Sequence, residues 1–226
     1  MNRLYRHVFK RLLDVIFSLL AIVILSPVFL VLAVLVKVKL GSPVIFKQRR
    51  PGRKDSNGQE QIFTLCKFRS MTDKRDASGV LLPDSERMTR FGRVLRSTSL
   101  DELPELWNIL KGDMSIIGPR PQLVKDLVFM SDEVRKRHDV RPGLTGLAQA
   151  KGRNGLSWDE RFAYDLEYVD KCSFLFDVKI IFLTISSVLK REGISEEGMD
   201  TSTDYGDWLL KEGYITKETY NACIEK

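Results

Sequence analysis

The amino-terminal part of the chain contains one long apolar run. Between Val15 and Val36, only Ser18, Ser26 and Pro27 interrupt the hydrophobic positions. A straight helix over these residues would be about 33 Å long, which is enough to cross the core of a bilayer. Pro27 cannot donate a backbone hydrogen bond and clashes with the preceding turn, so the sequence predicts a kink at Ser26-Pro27. The Ser26 hydroxyl can bond to the carbonyl that the proline leaves free.

Basic residues flank this run on both sides. Residues 1–54 contain eleven Lys or Arg side chains and one acid, Asp14, and seven of the bases lie at positions 37–54. Flanks rich in Lys and Arg favour the cytoplasmic side, so both ends of the run prefer the same face of a membrane. The pattern favours a re-entrant helix, which enters and leaves the bilayer on one face. A single spanning anchor with an ordinary proline kink is the alternative. A secretory signal peptide fits poorly, because basic residues follow the run.

The pattern downstream predicts a small β-hairpin. Residues 43–48 and 61–68 have the character of two short strands, and the loop between them contains Pro51-Gly52 and Asn57-Gly58. The rest of the chain is mainly helical in pattern. The sequence therefore predicts an α+β fold that is mainly helical, with a small hairpin and an amino-terminal re-entrant membrane helix.

Three later helices have recognisable starts or faces. Ser99 and Ser157 each begin a Ser-x-x-Glu capping box, which predicts helices that end near Gly112 and Val169. A third helix, over 177–191, has an apolar face of the kind that packs in a core or docks at a membrane surface. The neighbouring anchor favours interfacial docking of this amphipathic helix. The residues of its face are Val178, Ile181, Phe182, Ile185, Val188 and Leu189, widened by Ile180 and Leu183.

Composition limits the chemistry that the chain can carry. Its 226 residues fit one medium domain with appendages, and they include three cysteines and two histidines. The cysteines are odd in number and far apart, so neither a disulfide framework nor a cysteine zinc site is indicated, and a cytosolic catalytic face is expected. Two histidines leave a His-rich metal centre or a Ser-His-Asp triad to be built from scattered parts.

Two short segments could carry chemistry. Asp101 and Glu102 fall at the predicted start of a helix, where backbone N–H groups favour ionised carboxylates, although acids at this position are commonly just stabilising caps. Arg120 lies between Pro119 and Pro121 on a stiff turn, and an immobilised guanidinium suits a phosphate or a planar base. A rigid turn with a surface arginine explains the same residues.

Cations also recur beside glycines through the part of the chain that follows the apolar run. Such groups are what a pyrophosphate substrate would need, although each one alone is explained as a solvated surface charge. The residues concerned are Lys67 and Arg69, Arg93 and Arg96, Arg141-Pro142-Gly143, and Lys151-Gly152-Arg153-Asn154.

Taken together, these segments resemble the monotopic phosphoglycosyl transferases among the bacterial sugar transferases. The chain is similar to the small single-domain members that start protein N-glycosylation pathways, and the resemblance covers about residues 3–198. The matching motifs, in chain order, are Lys10-Arg11 with Asp14, Ser26-Pro27, Lys67-Phe68-Arg69, Arg96-Ser97-Thr98-Ser99-Leu100-Asp101-Glu102-Leu103-Pro104, Gly112-Asp113-Met114-Ser115, Pro119-Arg120-Pro121, Arg141-Pro142-Gly143-Leu144-Thr145-Gly146 and Gly152-Arg153-Asn154.

The resemblance implies transfer of a sugar 1-phosphate from a UDP-sugar to undecaprenyl phosphate, with release of UMP. It implies that Asp101 is the nucleophile and forms a covalent aspartyl phosphosugar, and that Glu102 helps to hold Mg²⁺. The substrate-binding cations that it implies are Lys67, Arg96 and Arg153, and we expect Arg120 at the nucleotide end.

The resemblance also implies a place and a division of the chain. The expected location is the bacterial inner membrane, with the catalytic domain on the cytoplasmic face and no nucleic-acid partner. Residues 1–40 would be the re-entrant helix, 41–198 the catalytic domain and 199–226 an acidic tail. A homo-oligomer is compatible with this division. Neither the donor sugar nor the role of the tail follows from the sequence.

Two features depart from the family pattern. Lys151 stands where close relatives usually carry Asn, so the family's contacts with the sugar through that loop are not carried over to this chain. The tail runs past the family core, and its pattern predicts a short helical hairpin with Thr216 capping the second arm. A loosely packed terminus is the simpler expectation for this tail, and a docking or oligomerisation element is the alternative.

A rival of another class is a membrane-anchored scaffold, or an electrostatic binder of anionic lipid or nucleic acid, that uses the basic amino-terminal block. It explains the anchor and its flanks. It does not explain why an acidic pair is followed by a proline-locked arginine, or why cations recur beside glycines.

Overall fold

The computed structural model describes residues 4–152, 155–190 and 203–224. Within these ranges the chain is mainly helical, with a small antiparallel hairpin as predicted and a second, parallel pair of strands. The strands are β1 (Ile45–Lys54), β2 (Glu60–Phe68), β3 (Ser115–Ile117) and β4 (Gly143–Thr145). The α-helices are α1 (Lys10–Ile24), α2 (Ser26–Leu40), α3 (Asp84–Arg87), α4 (Arg90–Ser97), α5 (Glu105–Lys111), α6 (Asp132–Arg135), α7 (Leu147–Lys151), α8 (Trp158–Lys171), α9 (Phe174–Lys190), α10 (Tyr205–Lys211) and α11 (Lys217–Ile224). A π-helical turn precedes α1 at Tyr5–Phe9, and 3₁₀ turns occur at Leu100–Glu102, Val124–Phe129 and Lys136–Asp139.

The apolar run is two helices with a sharp bend between them. The axes of α1 and α2 differ by 64°, and Leu25 separates them. Pro27 lies in the first turn of α2, and the Ser26 hydroxyl donates to the Val23 carbonyl at 2.8 Å. The predicted kink and its hydroxyl bond are therefore confirmed. Among the described helices, none is by itself long and apolar enough to cross a bilayer, whereas the bent pair meets that test together by length and composition.

Buried polar contacts tie α1 to the rest of the molecule. Asp14 accepts hydrogen bonds from the Ser115 hydroxyl at 3.0 Å and from the Ile116 amide at 2.9 Å. Lys10 contacts Asp177 of α9 at 2.6 Å. The bent pair is thus fixed at its base to β3 and α9, while many of its apolar side chains further along are exposed.

The hairpin is longer than predicted. β1 pairs antiparallel with β2 from Ile45 opposite Phe68 to Lys54 opposite Glu60, so Pro51-Gly52 lies inside the strand, and placing it in the loop was wrong. A proline is tolerated there because β1 is an edge strand with an irregular register between Pro51 and Lys54.

The parallel pair was missed by sequence analysis. β3 and β4 pair Ser115 with Gly143 and Ile117 with Thr145. Strands of three residues are too short to show an alternating pattern. They bring the Gly118-Pro119 segment and the Arg141-Pro142 segment side by side.

The helix starts were predicted with mixed success. At Ser157, hydroxyl and carboxylate bonds with Glu160 form the expected capping box, and α8 continues to Lys171, slightly past the predicted end. Ser99 forms no such box, because its φ of 55° places it in the left-handed region, whereas a capping residue needs an extended backbone. The helix after it begins at Glu105 and ends before Gly112, as predicted for its end.

The third predicted helix, α9, starts at Phe174, three residues early, and continues to Lys190. Its apolar positions divide between two sides. Ile180 is fully buried in the core, while Ile181, Phe182 and Ile185 are exposed as an apolar stripe. The side chains of Val188 and Leu189 lie outside the described part of the helix.

The carboxy-terminal tail is docked, so the expectation of a loosely packed terminus was wrong. Residues 203–224 contain the predicted helical hairpin, and Thr216 caps α11 by accepting from the Thr219 amide at 3.2 Å. Tyr205 and Trp208 of α10 pack against Trp158 and Phe162, which supply the apolar surface that holds the tail.

Candidate active site

The acidic pair lies in a 3₁₀ turn that precedes α5. Leu100–Glu102 forms this turn, and the left-handed Ser99 leads into it from the end of α4. A positive φ is uncommon for serine and is found where the surrounding structure fixes the chain, often at functional sites. Asp101 and Glu102 are therefore held before the helix rather than inside its first turn, which corrects the predicted placement.

Two cations hold the Glu102 carboxylate. Lys67 Nζ lies 2.8 Å and Arg120 Nη2 lies 2.7 Å from the same oxygen, Oε1. Burial by itself raises the pKa of Glu102, but Arg120 and Lys67 outweigh it and lower the pKa to about 2. Charge-assisted bonds of this length fix both donors and acceptor in space. The structure thus brings together three of the predicted site residues around one carboxylate.

Asp101 is buried beside this cluster. Only 7% of the residue is exposed, and no described side chain forms a hydrogen bond to its carboxylate. Burial raises the pKa of the Asp101 carboxyl and the neighbouring Glu102 raises it further, while Lys67, Arg96 and Arg120 act in the opposite direction. A carboxylate that forms no hydrogen bond and is desolvated is a stronger nucleophile than one held by donors.

A third acid, Glu105, was missed by the sequence analysis. It is 2% exposed, and its Oε1 lies 3.1 Å from Lys67 Nζ. Burial raises the pKa of Glu105 to about 7 against the pull of Lys67. The signal was its spacing of three residues from Glu102, which places two acids on one side of a helix start.

Packing of α5 on β2 positions Lys67 between the two glutamates. Asn108, fully buried on α5, donates to the Thr64 carbonyl at 2.8 Å and accepts from the Cys66 amide at 3.0 Å. These bonds satisfy the free edge of β2 and align its end with the first turn of α5. Arg11 donates to the last carbonyls of α5 at Ile109 and Leu110, at 2.5 and 2.7 Å.

The turn that carries Arg120 is fixed by backbone contacts between β3 and β4. Gly118 donates to the Thr145 carbonyl at 2.9 Å, and Gly143 donates to the Pro119 carbonyl at 3.0 Å. A Cβ at Gly118 would lie 2.4 Å from the Arg141 carbonyl, so only glycine permits this approach. Arg120 therefore extends towards Glu102 from a rigid base.

The remaining predicted cations have different places. Arg96 lies in the last turn of α4 and bonds to the Ser70 hydroxyl at 3.0 Å, and its charge lowers the pKa of Asp101. Arg69 is buried and bonds to the carbonyls of Leu40 and Ser42 at the end of α2, which makes it structural. Arg153 lies outside the described residues.

A family model described as "Bacterial sugar transferase" matches residues 5–191. The chain belongs to the bacterial sugar transferase family. It is 47% identical over 189 residues to "Uncharacterized sugar transferase EpsL" of Bacillus subtilis (strain 168), covering 84% of this chain and 91% of the relative. It is 42% identical over 188 residues to a "UDP-glucose:undecaprenyl-phosphate glucose-1-phosphate transferase" of Klebsiella pneumoniae, covering 79% of this chain and 39% of that longer relative. A third match, 36% identical over 214 residues, is the "UDP-galactose-lipid carrier transferase" of Erwinia amylovora, covering 85% of this chain and 43% of the relative.

The donor set of this sugar transferase suits a magnesium ion. Among the described residues, no cluster of three or more acids, histidines or cysteines forms a metal cage. Mg²⁺ is usually bound by one or two carboxylates, with waters and substrate phosphates completing its shell. The two cations on Glu102 share Oε1, which leaves Oε2 for a metal. The residues present therefore fit the ion.

Proposed function

We propose that this enzyme transfers a sugar 1-phosphate from a UDP-sugar to undecaprenyl phosphate and releases UMP. The observation that carries the proposal is the buried Asp101 carboxylate beside a Glu102 that Lys67 and Arg120 both hold. Membership of the family and the printed names of the Klebsiella and Erwinia relatives support the substrate classes. The reaction would be the first membrane step of bacterial glycoconjugate synthesis.

The reaction would proceed in two displacements. An Asp101 carboxylate oxygen attacks the β-phosphorus of the UDP-sugar, and the bond from that phosphorus to the bridging oxygen breaks, so UMP leaves with the electron pair. An oxygen of the lipid phosphate then attacks the same phosphorus and releases the Asp101 carboxylate. The products are the polyprenyl diphosphate sugar and a regenerated enzyme.

The cations make the first attack feasible. A carboxylate that approaches a diphosphate meets electrostatic repulsion, so the phosphate charges must be neutralised beforehand. Lys67 and Arg96 would contact the phosphates, Arg120 the nucleotide end, and Arg153 belongs to the same proposed set. A Mg²⁺ ion held by Glu102 and the substrate would supply additional charge neutralisation.

The bent pair α1–α2 would hold the site at the membrane surface. Its exposed apolar side chains and the basic residues on both flanks fit a re-entrant hook in the inner membrane, with the catalytic part on the cytoplasmic face. The exposed stripe Ile181, Phe182 and Ile185 on α9 suits the lipid interface. This arrangement would place Asp101 at headgroup depth, where a lipid phosphate lies. The division into anchor (1–40), catalytic domain (41–198) and tail (199–226) is part of the proposal.

UMP release tests the proposed function. The purified full chain is incubated with Mg²⁺, undecaprenyl phosphate and a panel of UDP-glucose, UDP-galactose and UDP-N-acetylhexosamines. We expect one donor to release UMP over many turnovers when the lipid phosphate is present, and no more than one UMP per enzyme when it is absent. Asp101→Asn should abolish this release, while the matched control Asp170→Asn, which changes an exposed acid of α8, should retain it. No release with any donor, or equal release by Asp101→Asn, would refute the proposal, and a scaffold would release none.

A further inference from the structure

The carboxy-terminal hairpin, residues 203–224, contacts the segment that follows Arg120. The matched family region ends at residue 191, so the hairpin lies beyond it. We propose that this hairpin is a positioning element that fixes the Arg120 turn and thereby sets the affinity for the nucleotide-sugar. The inference rests on the proposed function, because it takes Arg120 as the cation at the nucleotide end.

Charged and backbone contacts connect α10 to the 3₁₀ turn Val124–Phe129. Lys125 Nζ lies 3.0 Å from Asp204 Oδ2 and 2.9 Å from Asp207 Oδ2. The Gly206 amide donates to Asp126 Oδ1 at 3.1 Å, and Asp126 is 1% exposed. A buried carboxylate that accepts a hydrogen bond from an amide restricts the relative position of the two segments more than surface ion pairs do.

Aromatic packing closes the same contact. The rings of Phe129 and Tyr220 stack at 5.4 Å with a 17° angle between their planes, and the Tyr220 hydroxyl donates to Asp207 at 2.5 Å. A Cβ at Gly206 would lie 2.5 Å from the Phe129 ring, so α10 approaches this closely only because it carries glycine there. The hairpin therefore holds the segment downstream of Arg120 through both of its helices.

A second path reaches Arg120 from the other side. The Tyr205 ring meets Phe162 edge-on at 4.9 Å, and the Arg137 guanidinium lies 5.7 Å from the centre of the Phe162 ring. Arg137, fixed by two bonds to buried Asp165, donates to the Arg120 carbonyl at 2.6 Å. The hairpin thus supports the arginine turn at its backbone and at the segment that follows it.

This position predicts a specific kinetic effect. The direction of a guanidinium fork follows from the backbone that carries it, and a displacement of about 1 Å weakens a charge-assisted contact strongly. Asp101 and Glu102 lie in the 3₁₀ turn Leu100–Glu102 and Lys67 lies on β2, whereas the charged and backbone contacts of α10 go to the 3₁₀ turn Val124–Phe129. Loosening the hairpin should therefore weaken nucleotide binding and leave the phosphoryl transfer step intact.

The experiment compares three variants of the full chain. Gly206→Ala pushes α10 off Phe129, Asp204→Asn with Asp207→Asn removes the charges that hold Lys125, and Glu212→Gln is a matched control because Glu212 is an exposed acid at the end of α10. The UDP-sugar that supports turnover is titrated against undecaprenyl phosphate well below the melting temperature, and UMP binding is measured by calorimetry.

We expect the first two variants to raise the KM for the UDP-sugar and the Kd for UMP by about tenfold, with kcat and the KM for the lipid phosphate within about twofold. The control should match the parental enzyme. An unchanged KM for the UDP-sugar and an unchanged Kd for UMP would overturn the inference. Equal changes in the KM for the UDP-sugar and the KM for the lipid phosphate, or a lowered melting temperature alone, would also overturn it, because they indicate that the hairpin only stabilises the fold. If the parental enzyme releases no UMP, the proposed function fails and the inference fails with it. If the parental enzyme releases UMP and the variants have the same constants, the inference alone fails.

Discussion

Lys67 is the only described cation in contact with both Glu102 and Glu105, so its removal should affect the two acids differently. At 3.1 Å from Glu105 and an effective dielectric constant of roughly 20, the attraction is about 5 kcal/mol before desolvation is subtracted. Removing one partner of a buried pair costs about 3–5 kcal/mol. Glu102 retains Arg120, whereas Glu105 keeps no other ion-pair partner among the described residues. We therefore expect Lys67→Met to lower the free energy of unfolding by about 3 kcal/mol.

A second substitution separates this charge effect from simple loss of packing. Glu105→Gln in the Lys67→Met background removes a buried acid that, without Lys67, must either stay ionised or take up a proton on folding, and should restore about 2 kcal/mol. Urea unfolding of the detergent-solubilised chain measures both values, and Lys136→Met is the control because it removes a lysine from an exposed pair and should change nothing measurable. UMP release should stay low in the double variant, because the cation that we propose contacts the phosphates is still missing. A double variant no more stable than Lys67→Met would show that the buried Glu105 carboxyl is not the source of the lost stability.

The remaining predictions concern pH, helix capping and topology. The pKa of Glu105 in the folded state, about 7, lies above its ordinary value of 4.5, so the folded state binds a proton more tightly than the unfolded state does. The parental chain should therefore lose about 3 kcal/mol of stability relative to Glu105→Gln as the pH rises from 4.5 through 7. Denaturation measured across this pH range checks the loss, and parallel stability curves for the two proteins would contradict it. Arg11→Ala should destabilise the chain by about 1–3 kcal/mol, since it removes the side-chain donor of the Ile109 and Leu110 carbonyls, of which Ile109 keeps the Gly112 amide, as thermal unfolding would show. Cysteines introduced at positions 2 and 42 should be labelled from the same face of sealed vesicles. Pro27→Ala favours a straight helix, so it should cause some molecules to be labelled from opposite faces. Opposite-face labelling of the two cysteines in the chain that keeps Pro27 would rule out re-entry.

Local signals account for the parts of the fold that were predicted correctly. The Ser157 box, the Gly112 stop and the Ser26-Pro27 break each depend on a few neighbouring residues, and each was confirmed. Ser99 has the same motif as Ser157, yet the short connection from α4 forces it to a positive φ, and this tertiary demand outweighs the capping preference. The capping motif predicts the structure correctly where the connection before the helix leaves the capping residue free to adopt an extended backbone.

The residues of the site were predicted from the sequence, but the contacts between them were not. The sequence pointed to Asp101, Glu102, Lys67 and Arg120, and the structure brings these four together. The role of Glu105 depends on how α5 lies against β2, which Asn108 sets through contacts more than forty residues away in sequence. Such long-range contacts leave no periodic trace in the chain, and the same is true of the docked tail.

The proposed mechanism requires a covalent bond between Asp101 and the sugar phosphate, which intact-protein mass spectrometry can detect. The full chain is mixed with Mg²⁺ and the UDP-sugar that supports turnover, without lipid phosphate, so that the second displacement cannot occur. We predict a mass increase equal to one sugar phosphate, located by fragmentation on Asp101, absent in Asp101→Asn and present in Asp170→Asn. An unmodified Asp101 in an enzyme that still turns over, together with persisting turnover in Asp101→Asn, would rule out a covalent aspartyl intermediate.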